Sequence, residues 1–128
     1  MPKVSKDDAS TVKDFGVAED RSEDLDDYTV SFVTIKETHD LAPILRSLPT
    51  GDCQCQHWGY VFKGRMTVQY GDHEEAFEAG DAYYMPPGHA PAAEAGTELV
   101  MISPAKEYAE LETAMMQAMQ AMGGGPAD

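Results

Sequence analysis

Between residues 53 and 103 the chain falls into short extended runs separated by turn signals at near-regular intervals, and this rhythm restricts its fold more than any other feature. The runs are Cys53 to Phe62, Arg65 to Tyr70, Glu74 to Glu78, Ala82 to Met85 and Leu99 to Ser103. Lys63-Gly64, Gly71-Asp72, Ala79-Gly80-Asp81 and Pro86-Pro87-Gly88 punctuate them. Short strands with turns this closely spaced predict an all-β sandwich or barrel. Leu99 to Ser103 reads as a buried closing strand.

The flanking segments extend this reading. Tyr28 to Ile35 is rich in β-branched and aromatic residues and reads as a further strand. Thr38 to Leu48 predicts a short helix near 39–48. Thr38 or Asp40 caps its start, and Pro43 is tolerable only in its first turn. Pro104 opens a second helix near 104–122, where Tyr108, Leu111, Met115, Ala118, Met119 and Met122 recur at helical spacing. Gly123-Gly124-Gly125 stops it. Residues 1–27 are polar and acidic and read as a partly flexible N-terminal arm anchored by Phe15. Residues 28–122 form one domain, and 123–128 are expected to be a disordered tail. The sequence contains no solenoid-type repeat.

Composition narrows the partners. The 128 residues suit a single domain with a real core. A formal charge of −14 repels phosphate backbones and anionic membrane surfaces, so neither nucleic acid nor membrane is an expected partner. No apolar run approaches the ~20 residues of a membrane helix. The N-terminus lacks the apolar stretch of a secretory signal, and there is no Asn to glycosylate. The only two Cys stand one residue apart, a spacing that strains a disulfide. A reducing cytoplasm is the expected compartment.

Those two Cys belong to the segment with the most chemistry, Cys53-Gln54-Cys55-Gln56-His57. Side chains alternate along a strand, so Cys53, Cys55 and His57 share a face. Two thiols and an imidazole suit a soft divalent metal, zinc above all, with iron or copper as competitors. His89, just after the Pro86-Pro87-Gly88 turn, is the candidate fourth ligand. The plain alternative is a pair of small buried thiols beside a satisfied core imidazole. His39 and His73 read as exposed, and Glu74 and Glu75 as surface charges.

Trp58, Tyr60 and Phe62 fall on the opposite face of the same strand. In a barrel that face is outside, so the C-terminal helix, the N-terminal arm or a second copy of the chain must cover it. Either Tyr83 or Tyr84 points inward, where its phenol positions a substrate or simply satisfies the core. Val61 with Met66 or Val68 is expected to line an apolar pocket.

In register, these residues resemble the cupins over about residues 50 to 103. The first cupin motif holds two His, a Glu and a Gly seven positions after the Glu. Gly64 fills the Gly place, His57 the Glu place, Cys53 the second His place and Gly51 the first. In the second motif Gly80, Pro86 and Gly88 match. Pro91 occupies the His place, with His89 two positions earlier. The resemblance implies a small cupin-type, double-stranded β-helix barrel with a divalent metal. The function it implies is binding or converting a small organic molecule in the barrel. The alternatives are a non-catalytic sensing module or a dimer built around a structural metal. Cys in a His place departs from the His and carboxylate ligands of cupin dioxygenases and introduces a centre that oxidises.

Overall fold

The computed structural model describes residues 3–41, 43, 45, 48 and 55–121, apart from the side chains of Met119 and Ala121. After a 3-10 turn at Lys6–Asp8 come ten strands: β1 (Thr11–Asp14), β2 (Ala18–Leu25), β3 (Tyr28–Ile35), β4 (His39–Asp40), β5 (His57–Lys63), β6 (Arg65–Gln69), β7 (Glu74–Glu78), β8 (Ala82–Met85), β9 (Ala90–Ala93) and β10 (Glu98–Pro104). The helix α1 (Ala105–Ala121) follows directly. The strands form a six-stranded sheet in the order β1-β2-β3-β10-β5-β8 and a four-stranded sheet in the order β4-β9-β6-β7. Every pairing is antiparallel.

The period-two alternation of β5 places Val61 in the core and leaves Trp58, Tyr60 and Phe62 outside. Val61, Tyr83, Met85 and Leu99 from the larger sheet meet Met66 and Val68 from the smaller one. Gly59 keeps two strands together here. A Cβ on it would lie 1.9 Å from the Val100 carbonyl and 2.5 Å from the Tyr83 hydroxyl. Gly64 turns the β5–β6 hairpin at φ +80 against fully buried Thr97, whose hydroxyl accepts from Arg65 N–H and donates to Arg65 C=O.

The structure differs from the sequence expectation at both ends of this frame. Residues 11–14 and 18–25, read as part of an arm, are strands of the larger sheet. β2 pairs with β3 along its whole length, Ala18↔Ile35 to Leu25↔Tyr28. Its polar sequence hides this, because cross-strand pairing rather than propensity holds it. The helix expected from residue 39 starts later. His39 and Asp40 pair with Ala93 and Ala92, and a helical hydrogen bond runs from Leu45 N–H to Leu41 C=O at 3.0 Å. Within the strand expected from Cys53, the described residues place a bend at Cys55 and begin β5 at His57. Cys53, Gly51 and the 123–128 tail lie outside the described residues.

Helix α1 closes one end of the barrel. Tyr108 is buried with Leu45 and Cys55, while Leu111 and Met115 pack on the rim. No described helix is long and apolar enough to cross a membrane.

Candidate metal centre

His57 opens β5 opposite Met85 of β8. His89 follows the turn in which Gly88 takes φ 92, a left-handed conformation that glycine adopts without a Cβ clash. The two imidazoles meet edge to face with ring centroids 5.0 Å apart. His57 is 3% exposed and His89 0%.

Each ring is held from behind. His89 Nδ1 lies 2.6 Å from Pro86 C=O. A carbonyl only accepts, so that nitrogen carries the proton and Nε2 carries the lone pair. His57 Nδ1 lies 2.7 Å from Ser103 Oγ, itself fully buried in β10. An imidazole oriented through one nitrogen by an outer partner is the usual arrangement of a metal-binding His. Burial, then the neighbouring His89, pushes the His57 pKa from 6.5 down to about 3, so the ring is neutral at ordinary pH. Two buried, oriented imidazoles, with His57 held neutral, fit a borderline-soft divalent cation.

Among the described residues no group of three or more His, Cys, Asp or Glu is placed to hold a metal ion. The described part of the centre is the His57–His89 pair. Cys55 is buried with Leu45 and Tyr108, its thiol 3.6 Å from the Gln56 carbonyl.

Sequence reasoning missed a second polar group beside the pair. Tyr108 of α1 packs edge-on against His57 at 6.2 Å and donates its hydroxyl to Asp20 Oδ2 at 2.9 Å. Asp20, on β2, is buried, and burial raises its pKa above the usual carboxylate range. Burial and the nearby Asp20 push the Tyr108 phenol up as well. The Ser31 hydroxyl is near enough to favour both ionised forms, yet it reaches hydrogen-bonding geometry with neither. Ser22 and Thr29 are buried on the same strands. Asp20 was hidden because its segment read as an arm, and Tyr108 because it read as one more apolar position of a helix.

The other singled-out residues have structural roles. Tyr83 stacks on Phe77 and donates to the Val100 carbonyl at 3.0 Å, so the inward phenol satisfies the core. Val61, Met66 and Val68 are core residues rather than pocket walls. Tyr84 points outward against Trp58. His73 pairs with Asp72 on the surface, Glu74 and Glu75 are exposed, and His39 is half-buried with Nδ1 3.0 Å from the Glu37 carbonyl. Two concavities of about 420 and 440 Å³ lie outside the barrel, one between Lys13 and α1, the other around Tyr28, Trp58 and Lys106.

The cupin domain family matches residues 53–103, the stretch that carries Cys53, Cys55, His57 and His89. None of the curated proteins matches the sequence. Among solved structures, a protein of unknown function from Rhizobium leguminosarum is 21% identical, with TM-score 0.58 over 80% of this chain and 95% of its own. An RmlC-like cupin from Shewanella frigidimarina is 15% identical, with TM-score 0.55 over 81% and 92%. A polyketide cyclase from Streptomyces resistomycificus is 14% identical, with TM-score 0.53 over 81% and 79%. At these identities the structures share the fold. With the family match on the strands that bear both histidines, and the two facing antiparallel sheets of the barrel, residues 53–103 are similar to the cupin domain family and the chain has the fold of a small cupin barrel.

Proposed function

We propose that this cupin-fold protein binds a divalent metal, zinc by preference, at His57 and His89 with one of Cys53 and Cys55 as third ligand, so that one position stays open. All four together would close the site. In this reading a small organic molecule meets the metal at the polar end of the barrel. The observation that supports it most is the paired, buried imidazoles, each anchored through Nδ1. Thiolate ligands favour zinc over harder metals. A bound cation supplies Lewis acidity. The chain's own contribution is to hold His57 neutral, orient both rings and exclude water with α1. Tyr108 and Asp20 set a phenol and a carboxyl beside the ligand pair, where a bound molecule meets hydrogen-bond donors and acceptors. We place the protein in a reducing compartment, the cytoplasm, where thiolate ligands persist.

A second reading, a purely structural metal, draws on the depth of burial of both His. Cobalt(II) substitution separates the two. Tetrahedral absorption with a thiolate charge-transfer band, shifted by added azide, supports an open centre. The same bands indifferent to azide support a structural one. No cobalt spectrum, with His57→Ala indistinguishable from wild type, contradicts both.

A further inference from the structure

The inner face of β1, β2 and β3 under α1 carries polar groups that the histidine pair does not use. Lys13 on β1 stands opposite Asp20 on β2, and Ser31 on β3 is the diagonal neighbour of Asp20, opposite Ser22. Asp20 is 8% exposed and Ser31 0%. Tyr108 donates to Asp20 Oδ2, which leaves Asp20 Oδ1 and Ser31 Oγ buried with no hydrogen-bond partner among the described residues. Folded proteins rarely leave two such atoms so near each other, and each costs free energy until a third group satisfies it.

A way in lies beside these atoms. The concavity of about 420 Å³ between β1 and α1 has Lys13, Ala109, Glu112, Thr113 and Met116 in its lining. Its Lys13–Glu112 ion pair stands one cross-strand position from Asp20 and about one helical turn from Tyr108. The two side chains are 39% and 29% exposed. An ion pair open to water is held weakly, so it parts at small cost.

We propose that Asp20 and Ser31 are the floor of a binding site, entered between β1 and α1, for a neutral hydroxyl group carried on an apolar body. A hydroxyl donates and accepts at once, so it answers Asp20 Oδ1 and Ser31 Oγ together. Ala109 and Met116 give the apolar body its contact. An anion meets Asp20, Glu112 and a chain of net charge −14. A cation meets the divalent metal on His57, against which Tyr108 packs. For this last choice alone the inference rests on the proposed metal centre.

Three probes that share one body and differ in one group read this out: benzyl alcohol, benzoate and benzylamine. Each is titrated into the full zinc-supplemented chain while the backbone amide resonances are followed by NMR. Benzyl alcohol is expected to shift the Asp20 and Ser31 amides saturably, and the two charged probes are not. Ser31→Ala, which removes only a hydroxyl, should weaken benzyl alcohol about 3–10-fold, the worth of one hydrogen bond. Asp20→Val is the second variant, read only with the β circular dichroism signature retained, and should weaken it at least as much. No saturable binding up to the solubility limit, which leaves water alone between Asp20 and Ser31, overturns the proposal. So does benzoate or benzylamine binding as tightly as the alcohol, or an affinity that Ser31→Ala leaves unchanged. Zinc content of the same samples separates the two readings. A chain that takes up no zinc yet binds the alcohol through Ser31 sinks the metal centre and keeps this site. Zinc taken up, with alcohol binding indifferent to Ser31→Ala, does the reverse.

Discussion

The barrel has two unlike ends. At one, Val61, Met66, Val68, Tyr83, Met85 and Leu99 interlock as an apolar core in which the Tyr83 phenol is spent on a backbone carbonyl. At the other, under α1, His57, His89, Ser103, Ser31, Asp20 and Tyr108 are equally buried but polar. Apolar burial stabilises, whereas each buried polar group costs free energy unless a partner satisfies it. The cost is accepted most heavily under α1, where two imidazoles, a carboxyl and a phenol are buried together, which points to a use for those groups there.

The contrast predicts a graded series. Removing core volume has the largest effect. Met85, 2% exposed, should lose about 2–5 kcal/mol of unfolding free energy as Met85→Ala in urea denaturation, with metal content unchanged. At the polar end, Tyr108→Phe removes the donor to Asp20 and is expected to cost about 1–3 kcal/mol. Asp20→Asn in the same background should recover part of that loss. Full additivity of the two changes would show that the hydrogen bond carries no coupling.

The pH response comes next. The folded-state pKa of His57 is about 3 against 6.5 for the ordinary side chain, so between these values the unfolded chain binds the extra proton. Stability of the metal-free protein therefore falls with falling pH, the slope approaching about 1.4 kcal/mol per unit once the pH is a unit below 6.5. Asp20 works in the opposite sense. Its raised pKa lets the folded chain hold a proton that the unfolded chain has lost, which adds stability as the pH falls toward 3.8. The His57 slope is thus clearest above the Asp20 range, and denaturation of metal-stripped His57→Gln should lack it. The smallest effect is on the outer face. Phe62→Asp, at a half-exposed position, should change the unfolding free energy in urea denaturation by no more than ~0.5 kcal/mol.

How much was legible in the sequence follows from what each residue's signal depends on. The alternation of His57, Trp58, Tyr60 and Val61 and the turn glycine at Gly64 are local, and they yield the β5–β6 hairpin and its two faces. The turn before His89 is equally local. β2 and β9 were hidden because Ala18–Leu25 and Ala90–Ala93 lack strand-forming side chains and are held by their neighbours. The same non-local pairing carries Asp20 to Tyr108, 88 residues away, which no spacing rule connects. Tyr83 against Tyr84 was decided by the space that Gly59 leaves.

The central claim is that the polar end is a metal centre built on His57 and His89. It is tested most directly by the zinc stoichiometry of protein purified under reducing conditions, supplemented with zinc and then desalted. The account predicts about one zinc per wild-type chain, lost in both His57→Ala and His89→Ala, with the β circular dichroism signature retained. Wild type without stoichiometric metal, or zinc retained in full by both variants, would contradict it.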